Sequence, residues 1–261
     1  MSTDSCCPTN KTAVLTDYEP QGTMIKHGEH GNTSGMDIYV TTSKLDEKWK
    51  NGQAIVCAYD IFGMHASTQQ FCDLLSKETC SLVVMPDFFR GKPWRLEDYP
   101  PKADQDLMGW ISKAGSHEMV LKDLNDAVLP WLKSQWGVER SGFLGFCWGG
   151  KQAIQVAADP KMFVGVATAH PAFLTVEDAE KVSVPMCLLL SKNEPEWDDV
   201  KKTLEERAKN NFDLTWQRFD DVHHGWCSAR MDRKDDVNLK RATEALHIFV
   251  DFFKKQFLTC A

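Results

Sequence analysis

The chain has 261 residues, of which 43 % are hydrophobic and 26 % charged, a balance typical of a globular protein with a substantial core. Its net charge of −7 at pH 7 argues against binding to the phosphate backbone of nucleic acids, which needs a basic surface. No stretch approaches the roughly 18 apolar residues that a membrane-spanning helix requires. We therefore expect neither nucleic-acid nor membrane partners.

The N-terminal segment is polar and lacks the apolar stretch of a secretory leader, so we expect a cytoplasmic protein. The nine cysteines are scattered singly apart from Cys6-Cys7, and no pair of C-x-x-C units indicates a zinc site. We expect free thiols in a reducing compartment, with no bound metal or cofactor. Cys6-Cys7 fits either a metal or redox site or an exposed tail, and the tail is favoured.

The pattern of apolar residues predicts strands that alternate with helices. Residues 1–35 are rich in Gly, Thr, Asn and Ser and form an extended lead-in with room for one short strand pair. The predicted strands span residues 54–60, 81–87, 141–146, 163–169, 184–190 and 214–219. The predicted helices span residues 67–79, 117–135, 149–158, 198–210 and 236–257. A long loop, residues 88–114, lies between the second strand and the second helix, and such loops are often functional.

This alternation implies an α/β fold with a mostly parallel central sheet and helices on both faces. No repeat or linker divides the chain, so we expect an N-terminal tail over residues 1–21 and a single domain over residues 22–261. In such sheets the functional residues lie in loops at the carboxyl ends of the strands. That rule selects Asp60, residues 87–90, Cys147, His170, residues 191–196 and residues 220–224.

The strongest motif surrounds Cys147. Gly145-Phe-Cys-Trp-Gly-Gly150 has the G-x-S-x-G form of the nucleophile elbow of α/β-hydrolases, with Cys in place of Ser. A buried cysteine beside a glycine-rich turn gives the same pattern, but the position between a strand and a helix favours an active site. The start of a helix favours a thiolate, and a thiol with a reference pKa of about 8.5 needs a partner that helps to ionise it.

The other members of a catalytic triad are expected after later strands. His224 follows the last strand and is preferred to His223, because a Gly-Trp pair follows it directly. The acid should follow the fifth strand, where Glu194 is the candidate and Glu196 the alternative, and it would orient the imidazole. The order nucleophile, acid, histidine is that of α/β-hydrolases. His170 ends the fourth strand and either lines the substrate pocket or stabilises a turn.

With these motifs the sequence resembles the dienelactone hydrolase family of α/β-hydrolases over residues 22–257. The resemblance rests on four motifs in order: Ile-Phe-Gly at 61–63, Pro-Asp-Phe-Phe-Arg-Gly at 86–91, Gly-Phe-Cys-Trp-Gly-Gly at 145–150 and His-Gly-Trp at 224–226. The Cys-Cys pair and the His-Pro-x-Phe motif at 170–173 resemble the eukaryotic members more than the bacterial ones.

The resemblance implies a role for each matching residue of the triad. Cys147 would be the nucleophile and His224 the base. Glu194 would be the acid, although the family usually has Asp at that position. The backbone N–H groups of Ile61 and Trp148 would form the oxyanion hole, which stabilises the charge that develops on the substrate carbonyl.

The resemblance also implies roles for three charged residues around the substrate. Asp60 would contact the resting thiol, although the family typically has Glu there. Arg90 matches an arginine that binds the carboxylate of the substrate, since a guanidinium suits that planar anion. Arg230 is a second candidate for this role, but its spacing from His224 differs from the bacterial pattern.

The expected function is therefore cysteine-dependent hydrolysis of a lactone or ester that carries a carboxylate, by way of an acyl-enzyme. One alternative is a hydrolase of neutral esters, of thioesters or of a secondary-metabolite intermediate. Another is a non-catalytic ligand-binding protein on a hydrolase scaffold, because fold alone does not determine function. The expected partner is a small-molecule substrate, and the protein would be a monomer or homodimer.

Overall fold

The computed structural model describes residues 17–32, 34–42 and 52–259, so Cys6-Cys7 lie outside the described residues. The described residues form an eight-stranded sheet with the order β1-β2-β4-β3-β5-β6-β7-β8. The strands are β1 (Thr23–Ile25), β2 (Ile38–Thr41), β3 (Gln53–Ala58), β4 (Leu82–Pro86), β5 (Arg140–Phe146), β6 (Val166–Ala169), β7 (Met186–Ser191) and β8 (Leu214–Phe219).

Helices connect the strands from β3 onward. They are α1 (Ala66–Thr79), α2 (Leu107–Ala114), α3 (His117–Asp123), α4 (Leu129–Trp136), α5 (Trp148–Val156), α6 (Val176–Ala179), α7 (Asp198–Ala208) and α8 (Asp236–Thr259). A single 3₁₀ turn covers Leu96–Asp98, and a π-helical segment, Leu124–Val128, joins α3 to α4. No described helix is both long and apolar enough to span a membrane.

Strands β3 to β8 run parallel, and antiparallel pairing is confined to β1 with β2 and β2 with β4. The central strands are buried over nearly their whole length, which explains why they read as continuous apolar runs rather than alternating ones. β2 was not predicted. It lies beyond the lead-in over residues 1–35, and β1 pairs with it through Thr23 and Val40.

The helices form two groups that pack on the sheet. α1 packs with α8, while α5 packs with α3 and α6, and α6 with α7. Phe71 of α1 joins the first group to the sheet, since its ring lies edge-on to Phe146 of β5 at 5.3 Å and to Phe249 of α8 at 6.1 Å. The predicted α/β-hydrolase architecture, a mostly parallel sheet with helices on both faces, is confirmed.

Two predicted elements differ from the structure. The predicted helix over residues 117–135 is interrupted by the π-helical segment Leu124–Val128, which lies just before Pro130. Proline has no N–H to donate and cannot continue the regular hydrogen-bond ladder, which accounts for the interruption at this point. The predicted loop over residues 88–114 contains α2, which begins at the N-cap Asp106.

The described cysteines differ in state and in burial. Free thiols are present at Cys57, Cys72, Cys147, Cys187 and Cys227, and Cys147 is the one among them that is partly exposed. Cys80 is disulfide-bonded, so the expectation that all thiols are free is wrong for that residue.

Candidate active site

The sheet register brings the candidate residues to one edge. Gly145 of β5 pairs with Ala58 of β3, Phe146 with Ala169 of β6, and Ala169 with Leu189 of β7. These neighbouring strands therefore end at about the same level, and the loops that follow them carry the candidate side chains. This is the edge at which parallel α/β sheets place their ligand sites.

Cys147 occupies a strained turn between β5 and α5. Its φ of 53° and ψ of −108° are costly for a residue with a side chain, and such strain is typical of functional positions. Two glycines make the turn possible. A Cβ on Gly145 would lie 1.9 Å from the carbonyl oxygen of Gly149, and a Cβ on Gly149 would lie 2.1 Å from that of Ala58. The G-x-C-x-G spacing is thus a steric requirement of the elbow.

The thiol of Cys147 has a histidine partner. Cys147 and His224, which follows β8, line the same cavity, and the interaction with Cys147 contributes to the raised pKa of the imidazole. Burial acts to lower the pKa of His224, but its interactions with Cys147 and with the Glu194 carboxylate outweigh burial and raise that pKa to about 10. His223, the alternative base, instead places Nε2 3.0 Å from the carbonyl oxygen of Arg230.

Glu194 lies on the turn after β7 and holds the other nitrogen of the imidazole. Its Oε1 lies 2.6 Å from Nδ1 of His224 and accepts from the Ser191 hydroxyl at 3.0 Å. Its Oε2 accepts from the backbone N–H of Ser191. The Glu194 side chain is 2 % exposed, whereas that of Glu196 is 76 % exposed and faces Arg218. The structure therefore brings Glu194, not Glu196, to the histidine.

Arg218 and Asn193 fix the loop that carries Glu194. Asn193 lies in the predicted candidate segment 191–196, whereas Arg218 was not predicted. Arg218 donates to the carbonyl oxygens of Ser191, Glu194 and Pro195 at 2.7, 3.0 and 2.9 Å. The Asn193 amide oxygen accepts from the backbone N–H of His224 at 2.9 Å. Finding Arg218 from sequence would have required the pairing of β7 with β8, in which Leu190 lies opposite Arg218.

The N–H groups of Ile61 and Trp148 are available for an oxyanion. Trp148 is the first residue of α5, and N–H groups in a first helical turn have no partner within the helix. Within the described part of the chain, neither this N–H nor that of Ile61 donates a hydrogen bond. The carbonyl of Ile61 accepts from Trp94 at 2.9 Å and the Trp148 indole donates to Gly115 at 2.9 Å, which fixes both segments.

Asp60 is buried beside the same cavity. Burial raises the pKa of its carboxyl, and hydrogen bonds from Ser228, Ala229 and Phe62 oppose that rise. The backbone N–H groups of Phe62 and Ala229 donate to it at 2.9 and 3.0 Å. Asp60 therefore links the segment after β3 to the segment after His224.

The cavity in front of Cys147 is small, and the stacked side chains of Arg230 and Tyr99 partly close it. Its volume is about 30 Å³, and its described lining is Asp60, Ile61, Phe62, Tyr99, Cys147, His224, Gly225 and Arg230. The Tyr99 ring meets the Phe62 ring edge-on at 5.7 Å, and the Arg230 guanidinium lies 5.0 Å from the centre of the Tyr99 ring. Of the two candidate arginines, Arg230 is the one in this lining.

Unlike Arg230, neither Arg90 nor His170 is part of the described lining of this cavity. The guanidinium of Arg90 makes two hydrogen bonds to the Asp123 carboxylate, at 2.7 and 2.8 Å, and one to the Phe88 carbonyl oxygen at 2.9 Å. His170 is fully buried, and its ring centre lies 5.0 Å from that of His224. Burial, and then the charge of His224, hold the pKa of His170 well below its usual range. His170 thus packs against His224 as a neutral ring.

No group of three His, Cys, Asp or Glu side chains suited to a metal ion occurs in residues 17–32, 34–42 and 52–259. The side chains around Cys147 are instead those predicted as nucleophile, base and acid, and they meet at one sheet edge with two backbone N–H groups beside them. A strained elbow after the fifth strand, followed by an acid and then a histidine, defines an α/β-hydrolase.

Comparisons with known proteins give the family. The family model described as "Dienelactone hydrolase family" matches residues 36–257. An uncharacterised AIM2 family protein of Schizosaccharomyces pombe is 30 % identical, over 96 % of this chain and 98 % of its own. A carboxymethylenebutenolidase homolog of Mus musculus is 26 % identical, over 87 % and 91 %. A solved α/β serine hydrolase of Xanthomonas campestris, described as without a lid, has a TM-score of 0.55 at 14 % identity and covers 91 % of this chain and 94 % of its own.

The chain belongs to the dienelactone hydrolase family, which confirms the resemblance seen in its motifs. It is therefore a hydrolase that acts on ester or lactone bonds.

Proposed function

We propose that this protein hydrolyses a carboxylate-bearing ester or lactone with Cys147 as nucleophile, His224 as base and Glu194 as acid. One observation carries the proposal. The partly exposed thiol of Cys147 lines one cavity with His224 and interacts with that imidazole, whose Nδ1 lies 2.6 Å from the buried Glu194 carboxylate. Such a chain of contacts is the arrangement that activates a nucleophile.

In the resting enzyme the proton lies on His224. A histidine with a pKa of about 10 is protonated at neutral pH, and the form of Cys147 that attacks in the proposed mechanism is the thiolate. The sulfur also lies at the start of α5, where the helix dipole favours an anion. We retain Asp60 as the proposed contact of the thiol when the sulfur is protonated, because its carboxyl lines the same cavity.

The reaction proceeds through a thioester. The Cys147 sulfur attacks the carbonyl carbon, and the carbonyl oxygen becomes an oxyanion held by the N–H groups of Ile61 and Trp148. The tetrahedral intermediate collapses, the carbon–oxygen bond breaks, and His224 gives its proton to the leaving oxygen. His224 then takes a proton from water, whose oxygen attacks the thioester and releases the acid and the thiolate.

The lining of the cavity supports Arg230 as the partner of the substrate carboxylate. Arg230 lies beside Cys147 and stacks on Tyr99, so an incoming carboxylate would compete with the tyrosine ring for the guanidinium. Arg90 would first have to leave Asp123. A volume of about 30 Å³ is close to that of a single water molecule, so binding also requires Tyr99 to move.

The decisive experiment is a panel of aryl esters and lactones, each with and without a carboxylate. Cys147→Ala should abolish turnover of all of them while the melting temperature stays near that of the wild type. Arg230→Gln should raise KM about 10- to 100-fold for the carboxylate-bearing members, because a hydrogen bond to a charged group contributes about 1.5–3 kcal/mol. Arg90→Gln is the matched control. Full turnover by Cys147→Ala would refute the cysteine mechanism. A KM effect confined to Arg90→Gln would show that Arg90, not Arg230, binds the substrate carboxylate.

A thiol probe separates this enzyme from a ligand-binding protein on the same scaffold. Among the free thiols of the described chain, Cys57, Cys72, Cys187 and Cys227 are buried. Iodoacetamide should therefore label Cys147 before these four thiols, as read by peptide mapping, and Cys147→Ala should lose that labelled peptide. Slow labelling of Cys147 at neutral pH, at the rate of an ordinary thiol, would favour the binding protein.

A further inference from the structure

A second and larger cavity also borders the catalytic histidine. It has a volume of about 310 Å³, roughly ten times that of the cavity in front of Cys147. Its lining consists of His224, the segment 171–173, the segment 193–195 and Trp197. The cavity is close to the nucleophile, because the N–H of Ala172 donates to the carbonyl oxygen of Cys147 at 3.0 Å.

The two segments present aromatic side chains at this cavity in a costly conformation. Phe173 has a φ of 54° and Trp197 a φ of 49°, the left-handed region that large side chains rarely adopt. Each follows a proline by two residues, in segments that come after the neighbouring strands β6 and β7. Phe173 is 51 % exposed although it is apolar. Trp197 also packs against the core, whereas Phe173 is largely exposed, so packing does not account for the strained backbone at Phe173, and such strain is typical of functional positions.

The proposed reaction indicates which part of the substrate reaches this larger cavity. Because Nδ1 of His224 faces Glu194, the proton for the leaving oxygen comes from Nε2, so the leaving alcohol must lie against this imidazole. In the proposed function the smaller cavity, which contains Cys147, Ile61 and Arg230, receives the acyl portion with its carboxylate. A bulky alcohol portion must therefore extend elsewhere, and the cavity that shares His224 is large enough to take it.

We propose that the cavity between Phe173, Trp197 and His224 is a leaving-group subsite that binds the apolar alcohol portion of an acyclic ester. This rests on the function proposed above and narrows its substrate class. In the acylation step the carbon–sulfur bond forms, the carbon–oxygen bond breaks, and the alkoxide held in the subsite takes the proton from Nε2 of His224. A small lactone keeps its leaving oxygen tethered to the acyl group and cannot fill the subsite, so esters of large apolar alcohols are the preferred substrates.

The test is a series of succinate half-esters of unbranched alcohols, from methyl to hexyl. All members carry the same acyl group and the same free carboxylate, and they form the same acyl-enzyme, so only kcat/KM reports on the alcohol. In the wild type kcat/KM should rise with chain length, by up to about fourfold for each CH₂ that becomes buried. Phe173→Ala should reduce the ratio of the hexyl to the methyl value. Ala172→Trp, which fills the cavity, should reduce it further.

Met119→Ala is the matched control, since Met119 is also an exposed apolar side chain, 41 % exposed, and does not line the cavity. Its hexyl-to-methyl ratio should equal that of the wild type. A flat series in the wild type, with methyl ester still hydrolysed through Cys147, would overturn the subsite and leave the proposed function intact. A rise of kcat/KM with chain length that persists in Phe173→Ala and in Ala172→Trp would also overturn the subsite and leave the proposed function intact. Absence of Cys147-dependent turnover for every ester would overturn the proposed function, and the subsite with it.

Discussion

Replacing Glu194 with glutamine tests the proposed triad at its most unusual member. Glutamine keeps the shape of the side chain and removes its charge. The carboxylate now accepts three hydrogen bonds, from Nδ1 of His224 and from the N–H and hydroxyl of Ser191. An amide offers one oxygen and one NH₂ group, so in Glu194→Gln the NH₂ group must face a donor on His224 or on Ser191. One buried hydrogen bond is therefore lost as well as the charge.

The pKa of His224 sets the size of the expected effect. Its rise from 6.5 to about 10 corresponds to about 5 kcal/mol that favours the charged imidazole, and the Glu194 carboxylate is the second contributor after Cys147. Without Glu194, burial is opposed by Cys147 alone and the pKa of His224 falls. Because the protonated imidazole releases the leaving group in the proposed mechanism, kcat/KM should decline as pH rises through this pKa. The decline should lie near pH 10 in the wild type and at lower pH in Glu194→Gln.

The assay is the pH profile of kcat/KM between pH 5 and 11, with an aryl ester that the wild type hydrolyses. At neutral pH, kcat of Glu194→Gln should fall on the order of 10³- to 10⁴-fold, as when a triad carboxylate is replaced by an amide in serine proteases. Glu196→Gln is the matched control, because Glu196 is exposed and does not contact His224. If kcat/KM declined at the same pH in the wild type and in Glu194→Gln, the assigned role of Glu194 would be refuted.

Three further outcomes can be measured on the same protein. Gly149→Ala should lower the free energy of unfolding by about 1–3 kcal/mol in thermal or denaturant melts, because its Cβ would lie 2.1 Å from the Ala58 carbonyl oxygen. Arg218→Gln should lower kcat about tenfold and leave KM within twofold, since its guanidinium holds three carbonyl groups of the acid loop; equal changes in both would contradict a positioning role. The stability that charged His224 contributes should be fully present below pH 6.5 and lost as pH rises through about 10, and denaturant midpoints of wild type and His224→Gln across that range would converge.

Much of the fold follows from local patterns along the sequence. The strands β3 to β8 are short runs whose burial in the parallel sheet makes them continuously apolar, and each was predicted within a few residues of its observed bounds. The elbow was predictable for a steric reason, since only glycine fits at residues 145 and 149. Cys147, His224 and Glu194 could be selected together because each follows the end of a parallel strand.

The features that were missed depend on contacts between distant segments. Arg218 reaches the acid loop only because β8 pairs with β7 in one register. The pairing of Arg90 with Asp123 joins residues 33 positions apart, and that of Arg230 with Tyr99 joins a loop to one that follows β4. A sequence pattern indicates that an arginine is near the site. It does not indicate which acid or ring the arginine meets, because that depends on how the loops pack.

The same packing explains why a glutamate, rather than an aspartate, stands at the proposed acid position. Glu194 lies three residues after Ser191, and its side chain turns back to accept from both the N–H and the hydroxyl of that residue while it reaches His224. The backbone of this loop is held in place by Arg218, so the carboxylate must cover the distance itself. An aspartate on the same backbone would be one methylene shorter and could not keep all three contacts. The longer acid is therefore the one that can make all three contacts from this loop backbone.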